Sequence, residues 1–98
     1  MHVLTVCYGH PADPAAFDAY YASTHVPLAE KIPGMTSFTF RHCASLDRSQ
    51  PPYYLLAELS FPSQEALNVG LTSPEGSAAA ADVPNFATGG VTMFVAHD

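Results

Sequence analysis

Apolar and polar positions change period several times along the chain, and each change marks an element. Residues 2–8, His-Val-Leu-Thr-Val-Cys-Tyr, are rich in β-branched and aromatic side chains and meet the loop signal Gly9-His10-Pro11, which predicts a first strand. Asp13-Pro14 then supplies a helix start, a capping carboxylate followed by a proline at the first helical position, where its missing N–H costs nothing. Phe17, Tyr21, Thr24 and Leu28 follow at spacings of four, three and four, which lays one mostly apolar stripe along that helix. Pro27 lacks a donor and its ring meets the preceding turn, so a kink or an ending is expected near His25-Val26.

Beyond the turn at Ile32-Pro33-Gly34 the period drops to two. Over residues 36–43, Phe38, Phe40 and His42 alternate with Thr39, Arg41 and Cys43, a second strand. The polar stretch 45–52 is too short for a crossover helix, so this strand and residues 53–61 are expected to form an antiparallel hairpin. In that third strand Tyr53, Leu55, Ala57, Leu59 and Phe61 make a wholly apolar face that belongs under helices, while Tyr54, Leu56, Glu58 and Ser60 make a mixed one. Ser63 caps a helix running to about Leu71, with Glu65 in its first turn. Ser73-Pro74-Glu75 repeats the start signal for an Ala-rich helix from Pro74 to Asp82, halted by Pro84, whose small side chains allow close packing and add little core volume. Gly89-Gly90 leads into a fourth strand, Val91 to His97.

The order βαββαβ, with no repeat or linker, predicts a single α+β domain over residues 1–98, a ferredoxin-like sandwich with a four-stranded antiparallel sheet and its helices on one face. The other face must be polar or covered. On the fourth strand Val91, Met93 and Val95 alternate with Thr92, Phe94 and Ala96, and neither set suits free exposure to water. A second copy of the chain is the simplest cover, so a homodimer is expected, its paired sheets enclosing a chamber of mixed polarity.

Charge narrows the partners. Three Lys+Arg against nine Asp+Glu give a formal charge of -6, opposite to what phosphate backbones or anionic lipids attract, so neither nucleic acid nor a membrane surface is expected as a partner. No stretch approaches the ~18 apolar residues of a membrane span. Residues 1–7 lack the basic opening and long apolar run of a secretory signal, which makes a cytoplasmic location the expectation. Cys7 and Cys43 have no companion at metal-finger spacing and read as small strand residues rather than a disulfide.

The run Phe17-Asp18-Ala19-Tyr20-Tyr21-Ala22-Ser23-Thr24-His25-Val26-Pro27-Leu28, with Ile32-Pro33-Gly34-Met35 after it, resembles the signature of the EthD family. Ser73-Pro74-Glu75-Gly76, the segment Ala80-Ala81-Asp82-Val83-Pro84-Asn85-Phe86-Ala87 and Gly89-Gly90-Val91 resemble that family's closing half, so the likeness spans nearly the whole chain. It implies a dimeric α/β barrel in which two ferredoxin-like subunits press their open sheet faces around a small-molecule cavity. It also implies acid–base use of the motif histidine, here His25. The family takes its name from a protein encoded with an ether-degrading cytochrome P450 system, and relatives on the same architecture include isomerases, cyclases, decarboxylases and monooxygenases, so the reaction stays open.

Read from the residues, His25 is the first choice for an acid or base, because imidazole titrates near neutral pH. Tyr21, four residues earlier, could orient it, bond a substrate oxygen, or simply fill the core. Tyr20 has the same ambiguity. Asp82 could hold a His25 N–H and fix its tautomer, or be an exposed carboxylate near a helix end. Glu58 on the mixed face needs a partner inside a barrel, and Arg41 on the neighbouring strand is the candidate. Phe38, Tyr54, Leu56, Phe86 and Phe94 are candidate walls for a small hydrophobic molecule, although Phe38 and Arg41 fall on opposite faces of a regular strand. His2, His10, His42 and His97 are scattered, and no Gly-rich dinucleotide fingerprint is present, so neither metal nor cofactor is expected. Two readings follow: a cofactor-independent isomerase, cyclase or lyase with His25 as acid/base, or a non-catalytic accessory protein that holds an apolar molecule in the same cavity.

Overall fold

The computed structural model describes all 98 residues. The chain runs β1 (His2–Tyr8), α1 (Pro14–Tyr20), a π-helical turn (Tyr21–His25), α2 (Val26–Ala29), β2 (Ser37–His42), β3 (Leu55–Phe61), α3 (Gln64–Thr72), α4 (Pro74–Asp82), a 3-10 turn (Val83–Asn85) and β4 (Val91–His97). The strands form one antiparallel sheet in the order β2-β3-β1-β4, and the helices pack on one of its faces, which is the ferredoxin-like arrangement.

Register decides which side chains the helices cover. Leu4 stands opposite Leu59 and Val95, Val6 opposite Ala57 and Met93, and on the outer side of β3, Phe38 stands opposite Leu59. Leu4, Val6, Tyr8, Leu55, Ala57, Leu59 and Phe61 join Phe17, Tyr21, Leu67, Ala79, Val83 and Phe86 in one core, so the apolar face of β3 lies where its alternation predicts. The predicted caps also form: Asp13, Ser63 and Ser73 accept the backbone N–H groups of Ala16, Ala66 and Gly76 at 3.0–3.1 Å.

The third strand begins two residues later than its pattern suggests. Tyr54 donates its N–H to Tyr8 O, and Tyr8 is also the register partner of Leu55, so two residues of one strand face one of the other, as in a bulge. The bulge turns Tyr54 away from the mixed face. Its ring sits edge-on to Phe17 at 5.2 Å and its hydroxyl donates to Asp18 at 2.8 Å. The expected pairing of Glu58 with Arg41 is likewise absent: Thr39 is opposite Glu58 and Arg41 is opposite Leu56, and the carboxylates that meet basic groups are Asp98 with the Met1 amine, Asp82 with His25 and Asp18 with His42. No helix is long and apolar enough to cross a membrane.

Candidate active site

Pro27 sets the geometry of the first helical segment. A regular helix would drive its ring into the carbonyl four residues back, and the chain avoids this by widening one turn. Val26 N–H bonds to Tyr21 O, five residues back, which closes a π-turn over Tyr21–His25. The predicted disruption near His25-Val26 therefore takes the form of an inserted wide turn rather than a break. The extra width keeps residues four apart on one side, so Phe17, Tyr21, His25 and Ala29 are all buried while Thr24, which the simple stripe assigned inward, is exposed.

The partner of His25 comes from the end of α4. A side chain at Gly76 would place its Cβ 2.3 Å from Gly70 O, so only glycine lets α4 settle this closely on α3. At the far end of α4, Asp82 Oδ2 accepts from His25 Nδ1 at 3.0 Å. Asp82 Oδ1 accepts from the Tyr20 hydroxyl at 2.6 Å and from Asn85 Nδ2 at 3.1 Å. Both His25 and Asp82 are buried. Burial pushes the Asp82 carboxyl up, but hydrogen bonds from Tyr20, His25 and Asn85 outweigh it and hold the group below the usual carboxylate range. Burial lowers His25 below the ordinary histidine value, against the opposing pull of Asp82. The pair at neutral pH is thus a carboxylate and a neutral imidazole. An ionised carboxylate can only accept, so Nδ1 carries the proton and Nε2 keeps its lone pair.

Nothing in the protein bonds to Nε2, and His25 lines a cavity of about 170 Å³ between the helices and the sheet. Fourteen of the sixteen lining residues are hydrophobic, and none carries Asp, Glu, Lys or Arg chemistry. The space exists because α4 presents Gly76, Ala79 and Ala80 to it, side chains too small to fill what lies above Leu4, Val6, Ala57 and Leu59. Tyr8 and Tyr21 also line it, and the Tyr21 hydroxyl is buried without a partner. Burial raises both phenols far above the usual tyrosine value, and the neighbouring Tyr8 phenol raises that of Tyr21 further.

His25, Tyr21 and Asp82, the three candidate catalytic residues, are therefore brought together. Phe86 backs them, its ring centroid 4.7 Å from that of His25. Phe38 lines the cavity from β2. The remaining candidates lie elsewhere. Leu56, Glu58 and Phe94 point to the open face of the sheet, opposite the cavity, because they alternate with the helix-facing Leu55, Ala57 and Met93. Tyr54 sits with Asp18 at the end of α1. The cavity that His25 lines thus lies beneath the helices of the single chain, on the opposite side of the sheet from the open face that a second copy would cover. Asn85 was not foreseen; its signal is the spacing of three from Asp82 across a helix end.

Fold and site together define an α+β protein of ferredoxin-like fold that sets a buried imidazole–carboxylate pair against an apolar cavity. Residues 9–90 match the EthD domain, and the chain belongs to the EthD family. An uncharacterised 11.0 kDa protein of the thcB-thcC intergenic region of Rhodococcus erythropolis is 53% identical over 93 residues, 95% of this chain and 90% of its own length. A crystal structure described as an EthD family protein, from Bacillus halodurans, is 30% identical with a TM-score of 0.93, covering 100% of this chain and 98% of its own. A dimeric ferredoxin-like protein from Jannaschia shares the fold at 16% identity and a TM-score of 0.71 over 100% of both chains.

Proposed function

We propose that this protein is a cofactor-independent acid–base enzyme of the isomerase, cyclase or lyase type, acting on a small hydrophobic molecule held beneath the helices. The observation that carries this reading is the unbonded Nε2 of a neutral His25, its other nitrogen fixed by Asp82, on the wall of an otherwise apolar cavity. Asp82 stabilises the imidazolium that forms when Nε2 takes a proton. Hydrocarbon walls offer few groups to hold water that would compete for the same lone pair. A space of about 170 Å³ is well short of the ~300 Å³ at which drug-sized ligands begin, so the substrate is about the size of one ring.

The test begins with mass spectrometry of small molecules retained by protein purified from its own host. The recovered compound is then incubated with protein in deuterated water. Wild type is expected to place deuterium on carbon, and His25→Gln to bind the compound without doing so. Binding with no deuterium incorporation by wild type would replace the enzyme with the accessory, ligand-holding reading.

The functional unit in this proposal is a homodimer. Every residue of β4 is exposed, with Phe94 at 51% and Met93 at 48%, on an edge strand whose unpaired backbone also seeks cover. A second copy would bury these side chains on both faces of the edge, and the related fold from Jannaschia is described as dimeric.

A further inference from the structure

A buried hydroxyl with nothing to bond to is costly, and natural folds rarely keep one without use. Tyr21 Oη makes no hydrogen bond of good geometry, although the Tyr8 phenol stands beside it, and the residue is 2% exposed. It belongs to the same π-turn as His25, and the two rings lie 5.3 Å apart, centroid to centroid, on one side of the helix and on one cavity wall. The phenol is protonated at any working pH and can donate; His25 Nε2 can accept. The rest of the wall offers hydrocarbon, the Tyr8 phenol and no ion.

This inventory selects a ligand. A molecule that satisfies both groups must present an acceptor oxygen to Tyr21 and an acidic hydrogen to His25, and it must be uncharged, since an anion would find no counter-ion and would leave water unpaid. We propose that the site takes neutral carbonyl compounds of about one ring in size, with Tyr21 as the donor that holds the carbonyl oxygen while His25 removes a proton from the adjacent carbon; this rests on the acid–base reading above. In the step, the C–H bond breaks and its proton goes to Nε2. The freed electron pair forms a C=C bond, and the carbonyl π pair moves onto oxygen, where the Tyr21 O–H stabilises the charge. Nε2 then returns the proton to a conjugated carbon, and the double bond moves with it. The net change is an isomerisation that needs no oxidant, reductant or second reactant.

Three probes of similar size separate the elements of this proposal: phenol, a stable mimic of the enol; toluene, which fills the space without oxygen; and benzoate, which carries a charge. Their affinities are measured by ligand-observed NMR titration against wild type and Tyr21→Phe. Phenol is expected to bind wild type about tenfold tighter than either other probe, the effect of well-placed hydrogen bonds in a mostly apolar site. Tyr21→Phe is expected to remove most of that advantage and leave toluene unchanged. Because the lost oxygen had no partner, the variant is also expected to melt no lower than wild type, whereas a structural hydroxyl would lower the melting temperature. Equal affinities for phenol and toluene in both proteins would overturn the Tyr21 assignment and leave the His25 reading standing. Tightest binding by benzoate would overturn the neutral substrate class, and failure of all three probes to bind would remove this proposal and the cavity-based function together.

Discussion

Replacing Ala79 with leucine is expected to strengthen the fold and close the site in one step. Ala79 is buried on the face of α4 that lines the cavity, so the three added carbons enter existing space. At about 0.8 kcal/mol per buried carbon the gain is about 2.4 kcal/mol, less about 0.5–1 kcal/mol for freezing the leucine rotamers. The same substitution in a filled core would cost about 1–3 kcal/mol through overpacking. The void of about 170 Å³ decides which effect wins, and the net expectation is about 1.5 kcal/mol of added stability. For a domain of this size that is a rise in melting temperature of about 6–12 °C, measurable by calorimetry. Ala78→Leu, on the exposed side of the same helix, is the control and is expected to shift stability by no more than about 0.5 kcal/mol. Phenol is expected to raise the melting temperature of wild type by binding the native state and to have no effect on Ala79→Leu. A lower melting temperature for Ala79→Leu, or an undiminished phenol shift, would show that the space beneath α4 is not a usable cavity.

Two further outcomes follow from the buried pair and from the bare edge. His25 is held below its ordinary value of 6.5, so the unfolded chain takes up its proton first on acidification; the contribution of His25 is complete above about pH 6.5 and is lost as pH falls from there to the lowered native value. Asp82, held below its ordinary value of 3.8, contributes stability present above that value and lost as pH falls through the native one. Urea unfolding at a series of pH values is expected to show the first limb in wild type and not in His25→Gln, and superimposable profiles would contradict a neutral buried imidazole. Light scattering at micromolar concentration is expected to give twice the 10.4 kDa chain mass for wild type and the single-chain mass for Phe94→Glu, while Leu46→Glu in the β2–β3 loop keeps the dimer. A wild type at the single-chain mass would remove the dimer.

Much of the fold is legible locally. The alternation of Leu55, Ala57, Leu59 and Phe61 against Leu56, Glu58 and Ser60 appears unchanged in the burial of β3, because a two-residue period is imposed by the pleat itself. Asp13, Ser63 and Ser73 cap where their side chains can reach a free N–H three residues on, again a short-range matter. Tyr54 escapes such reasoning because a bulge depends on the partner strand, and Thr24 because a wide turn changes the helical period. The wall candidates Leu56, Glu58 and Phe94 stand on the open sheet face, where the face rule puts them, whereas the cavity within the single chain lies on the other side of the sheet.

The sequence by itself determined the order of elements, the face each strand gives to the helices, the membership in a family and the position of His25 at a proline-bent turn, because steric and hydrogen-bonding rules over a few residues suffice for each. Tertiary structure alone decided that Asp82, 57 residues further on, meets His25, that Tyr20 and Asn85 hold it, and that Tyr21 keeps a bare hydroxyl beside them. It alone placed the void under α4. A cavity is the volume left over when distant segments pack, and no single segment encodes a difference between the others.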